Sequence, residues 1–172
     1  MRDSRISMTS FVAALWILVP LVSGLGDRAD AAADLGSSDS RSQTRQEISS
    51  TLDAWNSACS ARDPKRVMAM IDDGPDVMVV GSDKGEVFKG REQIEGWLKG
   101  LLAVRGFSWE MDRVDIDANG ATAWAFVEGR MVVADTSGTV LGKPPYRFTS
   151  VMVKKGETWK WRVFDGAIIG GE

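Results

Sequence analysis

The stretch Asp76–Leu102, DVMVVGSDKGEVFKGREQIEGWLKGLL, decides the fold. Val77, Met78, Val79 and Val80 form a short apolar run suited to a strand, Gly81 to Gly85 supplies a turn, and Glu86, Val87 and Phe88 make a second short strand. Gly90-Arg91-Glu92-Gln93-Ile94 then opens an amphipathic helix. Ile94, Trp97, Leu98, Leu101 and Leu102 fall at i, i+3, i+4, i+7 and i+8, the strongest helical periodicity in the chain. A short hairpin feeding a helix, with helices before it and strands after it, points to a curved sheet wrapped around helices and enclosing a pocket.

Two helices are predicted upstream. Thr44 and Glu47 stand three apart as a capping box, and Ile48, Leu52, Trp55 and Cys59 recur along one face, predicting a helix from Thr44 to about Ala61. Asp63-Pro64 sets an N-cap and a first-turn proline for a short second helix that buries Val67, Met68 and Ile71, and Asp72-Asp73-Gly74-Pro75 ends it. Downstream, Phe107, Trp109 and Met111 alternate before the apolar phase moves to Val114 and Ile116, which suggests a bulge or bend inside one long strand. Asn119-Gly120 signals a hairpin. The strand after it, Ala121 to Ala134, has Trp124, Phe126, Glu128 and Arg130 on one face and small residues on the other. A loop to Pro145, a strand Tyr146 to Lys154, a turn at Lys155-Gly156-Glu157 and a last strand Thr158 to Asp165 complete the reading.

The N-terminal region reads as targeting. Arg2 and Arg5 precede an apolar run from Phe11 to Leu25, and small residues follow at Ala29-Asp30-Ala31 and Ala31-Ala32-Ala33. Residues 1–33 are expected to be an export signal, placing the protein in the periplasm or outside the cell, with no stable membrane insertion after cleavage. Residues 34–43, rich in Ser, Asp and Gly, are expected to be a flexible tether, and 44–168 the folded domain. Cys59 is the single cysteine, so no internal disulfide forms and packing alone must hold the fold. On an apolar helix face its thiol is expected to be buried and inert.

Composition excludes several classes. The chain has 172 residues, 44% hydrophobic and 26% charged, with a net charge of −3 and no clustered basic residues, so no nucleic-acid surface is expected. Asp72, Asp73 and Asp76 lack the alternating ligand spacing of a calcium loop, and no Gly-rich phosphate loop is present. No metal and no cofactor are implied.

The succession of helix, helix, short hairpin, Gly-Arg-Glu-x-Ile helix and long antiparallel strands ending in Trp159-Lys160-Trp161-Arg162-Val163 resembles the SnoaL-like branch of the NTF2-like superfamily, over about Thr44 to Ala167. The resemblance implies an α+β cone: a highly curved antiparallel sheet of about six strands around three helices, a pocket between the two layers, and frequent homodimers. It does not choose a reaction, because the superfamily includes isomerases, cyclases, dehydratases, epoxide hydrolases and proteins that only bind or associate. Ketosteroid isomerases carry an Asp base on the early strand, where this chain has Val77 to Val80. Dehydratases with a His-Asp pair are excluded because the chain has no histidine.

The expected function is binding of a small, largely apolar molecule, with Trp55, Trp97 and Trp124 at the pocket wall, Met68, Met78 and Met152 making that wall adaptable, and Arg147 adding a polar contact. The enzyme alternative is a cofactor-free hydrolase or lyase in which Glu128 and Asp165 bracket Arg130 and activate water. An ion pair at the solvent edge is the competing reading of those three residues. Glu86 is expected to close its hairpin or to pair with Arg91. A dimeric interaction module with a filled core is the third possibility.

Overall fold

A computed structural model describes residues 26–170, with side chains described from residue 40. The apolar run of the expected export signal lies outside the described residues. The chain divides into two compact units, Met1–Gly36 and Ser37–Glu172. Of the first, the described part is helical; the sheet and the cavity belong to the second.

Helix α1 spans Gly26–Ser60, so it starts earlier than the capping box suggests, and the stretch 34–43, expected as a tether, is helical. No proline interrupts this span, and Ser and Asp cost a helix only about half a kcal/mol each. Glu47 has a different use: its carboxylate accepts from Lys154 Nζ (2.8 Å) and Trp159 Nε1 (2.9 Å), fastening α1 to the sheet. Helix α2, Pro64–Met70, starts as expected, with the Asp63 side chain accepting from Arg66 N (3.0 Å). Helix α3 spans Arg91–Val104 and buries Ile94, Leu98 and Leu102.

The strands are β1 (Met78–Val80), β2 (Val87–Lys89), β3 (Gly106–Asn119), β4 (Thr122–Ala134), β5 (Val140–Gly142), β6 (Pro145–Lys155) and β7 (Thr158–Ile168). They form one curved, unclosed sheet in the order β2-β1-β7-β6-β4-β3, with β5 paired to β4. Neighbours are antiparallel except β1 and β7, which run parallel with Met78 opposite Val163. The α+β architecture is therefore the expected one. It is enlarged by β5, which lies inside the segment read as loop.

Two bulges bend the long strands. In β3 the register shifts between Met111 and Arg113, at the position where the apolar phase switches. Gly129 of β4 faces this bulge, and a Cβ there would lie 2.0 Å from the Glu110 carbonyl oxygen. The second bulge, opposite Val151 and Met152, lets Trp159, Trp161, Phe164 and Gly166 all face inward although their spacing changes. It also sends Arg162 sideways to the fully buried carboxylate of Asp72.

The concave face carries Ala123, Ala125, Val127, Phe148, Met152, Trp161 and Phe164, and Ile48, Leu52 and Trp55 of α1 join them in one core. Trp55 packs on Trp161 with ring centroids 4.6 Å apart.

Candidate functional site: the cavity of the cone

The two layers do not close completely. Between the concave face and the helices is a cavity of about 250 Å³ whose wall comes from α1 (Trp55, Cys59), α3 (Trp97, Leu98, Leu101), β3 (Phe107, Trp109), β4, β6 and β7, with the β1–β2 turn at one side. Its character is apolar and aromatic, as small-molecule sites generally are.

Each wall residue is placed by its element. Trp97 sits one helical turn from the buried Ile94 and stacks on Phe88 of β2 (4.8 Å, 22° between planes). Trp109 is held by an amide clamp: Asn56 Nδ2 donates to its carbonyl (3.1 Å) and its N–H donates to Asn56 Oδ1 (2.7 Å). Both backbone groups of a β3 residue are thereby fixed to α1. Tyr146, at the start of β6, lies opposite Gly129 on one side and Ile168 on the other. Its hydroxyl rests over Gly166, where a Cβ would come within 1.9 Å, so only glycine admits the phenol.

The polar inventory of the cavity is short. Three indole Nε1 atoms, of Trp55, Trp109 and Trp161, are buried with no hydrogen-bond partner among the described residues and present no surface to the cavity. The Tyr146 hydroxyl is held protonated: burial pushes its pKa up, and the charges of Glu86 and Asp165 add to the push. Burial alone pushes the Cys59 thiol up to about 12, so it is inert as a nucleophile near neutral pH. Ser82, Asp83 and Glu86 from the β1–β2 turn and Arg105 from the end of α3 add the remaining polar groups.

Of the residues chosen from the sequence, Trp55 and Trp97 are in the cavity wall. Trp124 is not: it stands 44% exposed on the opposite face of β4, because the small residues Ala123, Ala125 and Val127 take the inward positions. Glu128 and Arg130 share that outer face and are exposed, as is Arg147, which lies opposite Glu128 in register. Asp165 is exposed too, level with Thr149 and Phe126 on the outer face. The proposed Glu128, Arg130, Asp165 constellation therefore does not assemble in the cavity; all three side chains are exposed. Met68 and Met152 are core residues and Met78 is half-buried; Met131 is the methionine in the wall. Glu86 closes its hairpin, accepting from Asp83 N (3.1 Å), while Arg91 donates instead to the carbonyls of Ile71 and Met68.

Tyr146 and Trp109 are wall residues that the sequence reading did not select. Trp109 carried a signal, since it is in the apolar phase of β3 before the bulge. Tyr146 carried none, because the room for its phenol is left by Gly166 of another strand.

A model of the SnoaL-like domain matches residues 48–162. Among solved structures, the chain is similar to an NTF2-like protein with a cystatin-like fold from Novosphingobium aromaticivorans (18% identity, 87% of this chain and 94% of that one, TM-score 0.62). It is also similar to a candidate dehydratase of the NTF2-like family from Streptomyces avermitilis (15%, 73% and 97%, TM-score 0.64). A third similar structure is a ketosteroid isomerase-like protein from Erwinia carotovora atroseptica (15%, 73% and 96%, TM-score 0.59). At these identities the likeness is one of fold. Among curated proteins nothing matches the sequence.

Proposed function

Because the chain belongs to the SnoaL-like domain family, whose fold it shares, we propose that it binds a small, largely apolar molecule in the cavity between sheet and helices. The observation that carries this reading is the cavity itself, about 250 Å³ lined mostly by aromatic and aliphatic side chains. A module made only for association has no need of such a space, since a void forfeits packing energy. Three wall residues are tryptophans, so occupancy is expected to report itself in intrinsic fluorescence. Titration with apolar ring compounds is expected to give saturable quenching that falls in Trp97→Phe and is unchanged in Trp124→Phe. Equal loss of response in both variants, or no response to any compound, rejects the reading.

Two accompanying readings have their own tests. Association of two copies through the outer sheet face is supported by exposed Trp124 beside alternating charges, Glu128 with Arg147 and Asp115 with Arg113. Sedimentation is expected to show a dimer that Trp124→Glu weakens, and a monomer at every concentration dismisses it. Export by residues 1–33 is supported by the basic start and apolar run. It predicts a mature form in the culture fluid or periplasm whose mass lacks that segment.

A further inference from the structure

We propose that the cavity selects an organic cation, an apolar body bearing a protonated amine, whose charge is seated against the Glu86 carboxylate at the β1–β2 end of the cavity. The inference rests on the reading of the cavity as a ligand site and adds the charge of the occupant.

Glu86 is fixed in position by the turn. Its Oε2 accepts from Asp83 N (3.1 Å), and the carboxylate lies across Gly81, where a Cβ would come within 2.1 Å of the same oxygen. Gly81 does not have the positive φ that calls for glycine, so the side chain it lacks is what admits the carboxylate. Glu86 is half-buried and lines the cavity. A carboxylate drawn away from water is ordinarily matched by a cation. Here no ion pair among the described residues includes Glu86 or its neighbour Asp83.

Two further carboxylates stand at this end. Asp83 also lines the cavity, and Asp165 of β7 is in register with Val80, the residue before the turn. Their field reaches the wall: after burial, the charges of Glu86 and Asp165 are what raise the Tyr146 pKa. Tyr146 is itself 5% exposed, and a phenol that keeps its proton still has oxygen lone pairs for an ammonium N–H. Arg105 is the one basic residue in the lining; it is exposed and forms no ion pair with either carboxylate. The aromatic rings of the wall add to the attraction, since their faces carry negative potential. An anion entering the cavity meets like charges, and a neutral occupant leaves Glu86 without a partner.

Matched probes on two frames test this: 2-aminoindane, 2-indanol and indane-2-carboxylate, with 1-adamantylamine, 1-adamantanol and adamantane-1-carboxylate. Affinities are measured by calorimetry near neutral pH, where the amines are protonated and the carboxylates ionised. The expected order is amine above alcohol above carboxylate, with amine and alcohol about tenfold or more apart. Glu86→Gln keeps an acceptor for Asp83 N and the shape beside Gly81, and is expected to close most of that gap; Asp83→Asn is expected to narrow it less. Carbodiimide coupling needs no variant: with stoichiometric 2-aminoindane the amide adduct, mapped by peptide mass, is expected on Glu86 ahead of the exposed carboxylates. An amine no tighter than its alcohol on both frames overturns the cation inference and leaves the ligand site standing. A gap that persists at full size in Glu86→Gln, or an adduct spread evenly over the surface carboxylates, overturns the seat at Glu86. Binding by no member of the series overturns both the inference and the ligand site.

Discussion

Replacing Gly129 by alanine adds one methyl group at the tightest backbone contact in the sheet. Its Cβ would lie 2.0 Å from the Glu110 carbonyl oxygen and 3.0 Å from the Asp112 nitrogen. A carbon beside a carbonyl oxygen settles at about 3.3 Å or more, so β3 must withdraw by about 1.3 Å. The atoms in the way are backbone on the bulge, with no side chain to swing aside. Withdrawal strains the β3–β4 ladder on both sides of the bulge and shifts Trp109, which Asn56 holds to α1. Overpacking of this kind costs typically 1–3 kcal/mol and more when backbone must yield, so a loss of about 3 kcal/mol is expected. In a domain of this size that is about 6–12 °C in Tm. The matched control is Gly100→Ala in α3, where the added methyl meets nothing within 4 Å and the helix gains about 0.5–1 kcal/mol. Urea unfolding at constant m-value is expected to place the two variants on opposite sides of the unaltered protein. If Gly129→Ala unfolds within about 0.5 kcal/mol of it, the close approach at the bulge is not what requires glycine there.

Asn56→Ala removes both side-chain bonds to Trp109 and leaves a half-buried N–H and C=O unpaired, so a loss of about 1–3 kcal/mol is expected in the same assay; no change means the clamp is replaced by water. Burial raises the pKa of Asp72, but the hydrogen bond and charge of Arg162, with the charge of Lys155, more than offset it and hold the carboxyl below the ordinary value. A lowered carboxylate pKa contributes stability above about pH 4 that is lost as the pH falls through the folded-state value. Unfolding measured from pH 7 down to pH 2 is expected to show the advantage over Asp72→Asn shrinking below about pH 4, and an advantage that is constant with pH contradicts the assignment. Cys59, buried and with its pKa at about 12, is expected to resist iodoacetamide at pH 8 until the protein is unfolded, as followed by intact mass. Alkylation of the folded protein at the unfolded rate refutes that burial.

Local patterns carried most of the fold. The phase switch between Met111 and Val114 pointed to a bulge or bend in that interval, and the Asp63-Pro64 pair located the start of α2, because both are properties of neighbours in sequence. The faces of β4 were harder to read. The sequence reading put Trp124 on an inward face, yet Ala123, Ala125 and Val127 are the buried residues of β4 and Trp124 is exposed. Trp124, Glu128 and Arg130 then follow to the outside together, since a strand alternates strictly. At the cavity, Trp55 and Trp97 were legible from helical spacing. Tyr146 depends on Gly166, which has no relation to it until β6 and β7 are paired.

The parallel pairing of β1 with β7 also bears on synthesis at the ribosome. Met78 cannot meet its partner until Val163 has left the exit tunnel. The β1–β2 hairpin thus emerges early and waits, with an open hydrogen-bonding edge, until nearly the whole domain has been made. Its brevity suits that wait: two strands of three residues each, interrupted by a turn with charged Asp83, Lys84 and Glu86, offer little to a neighbouring nascent chain. The edge that closes the sheet last is the one least able to aggregate before then.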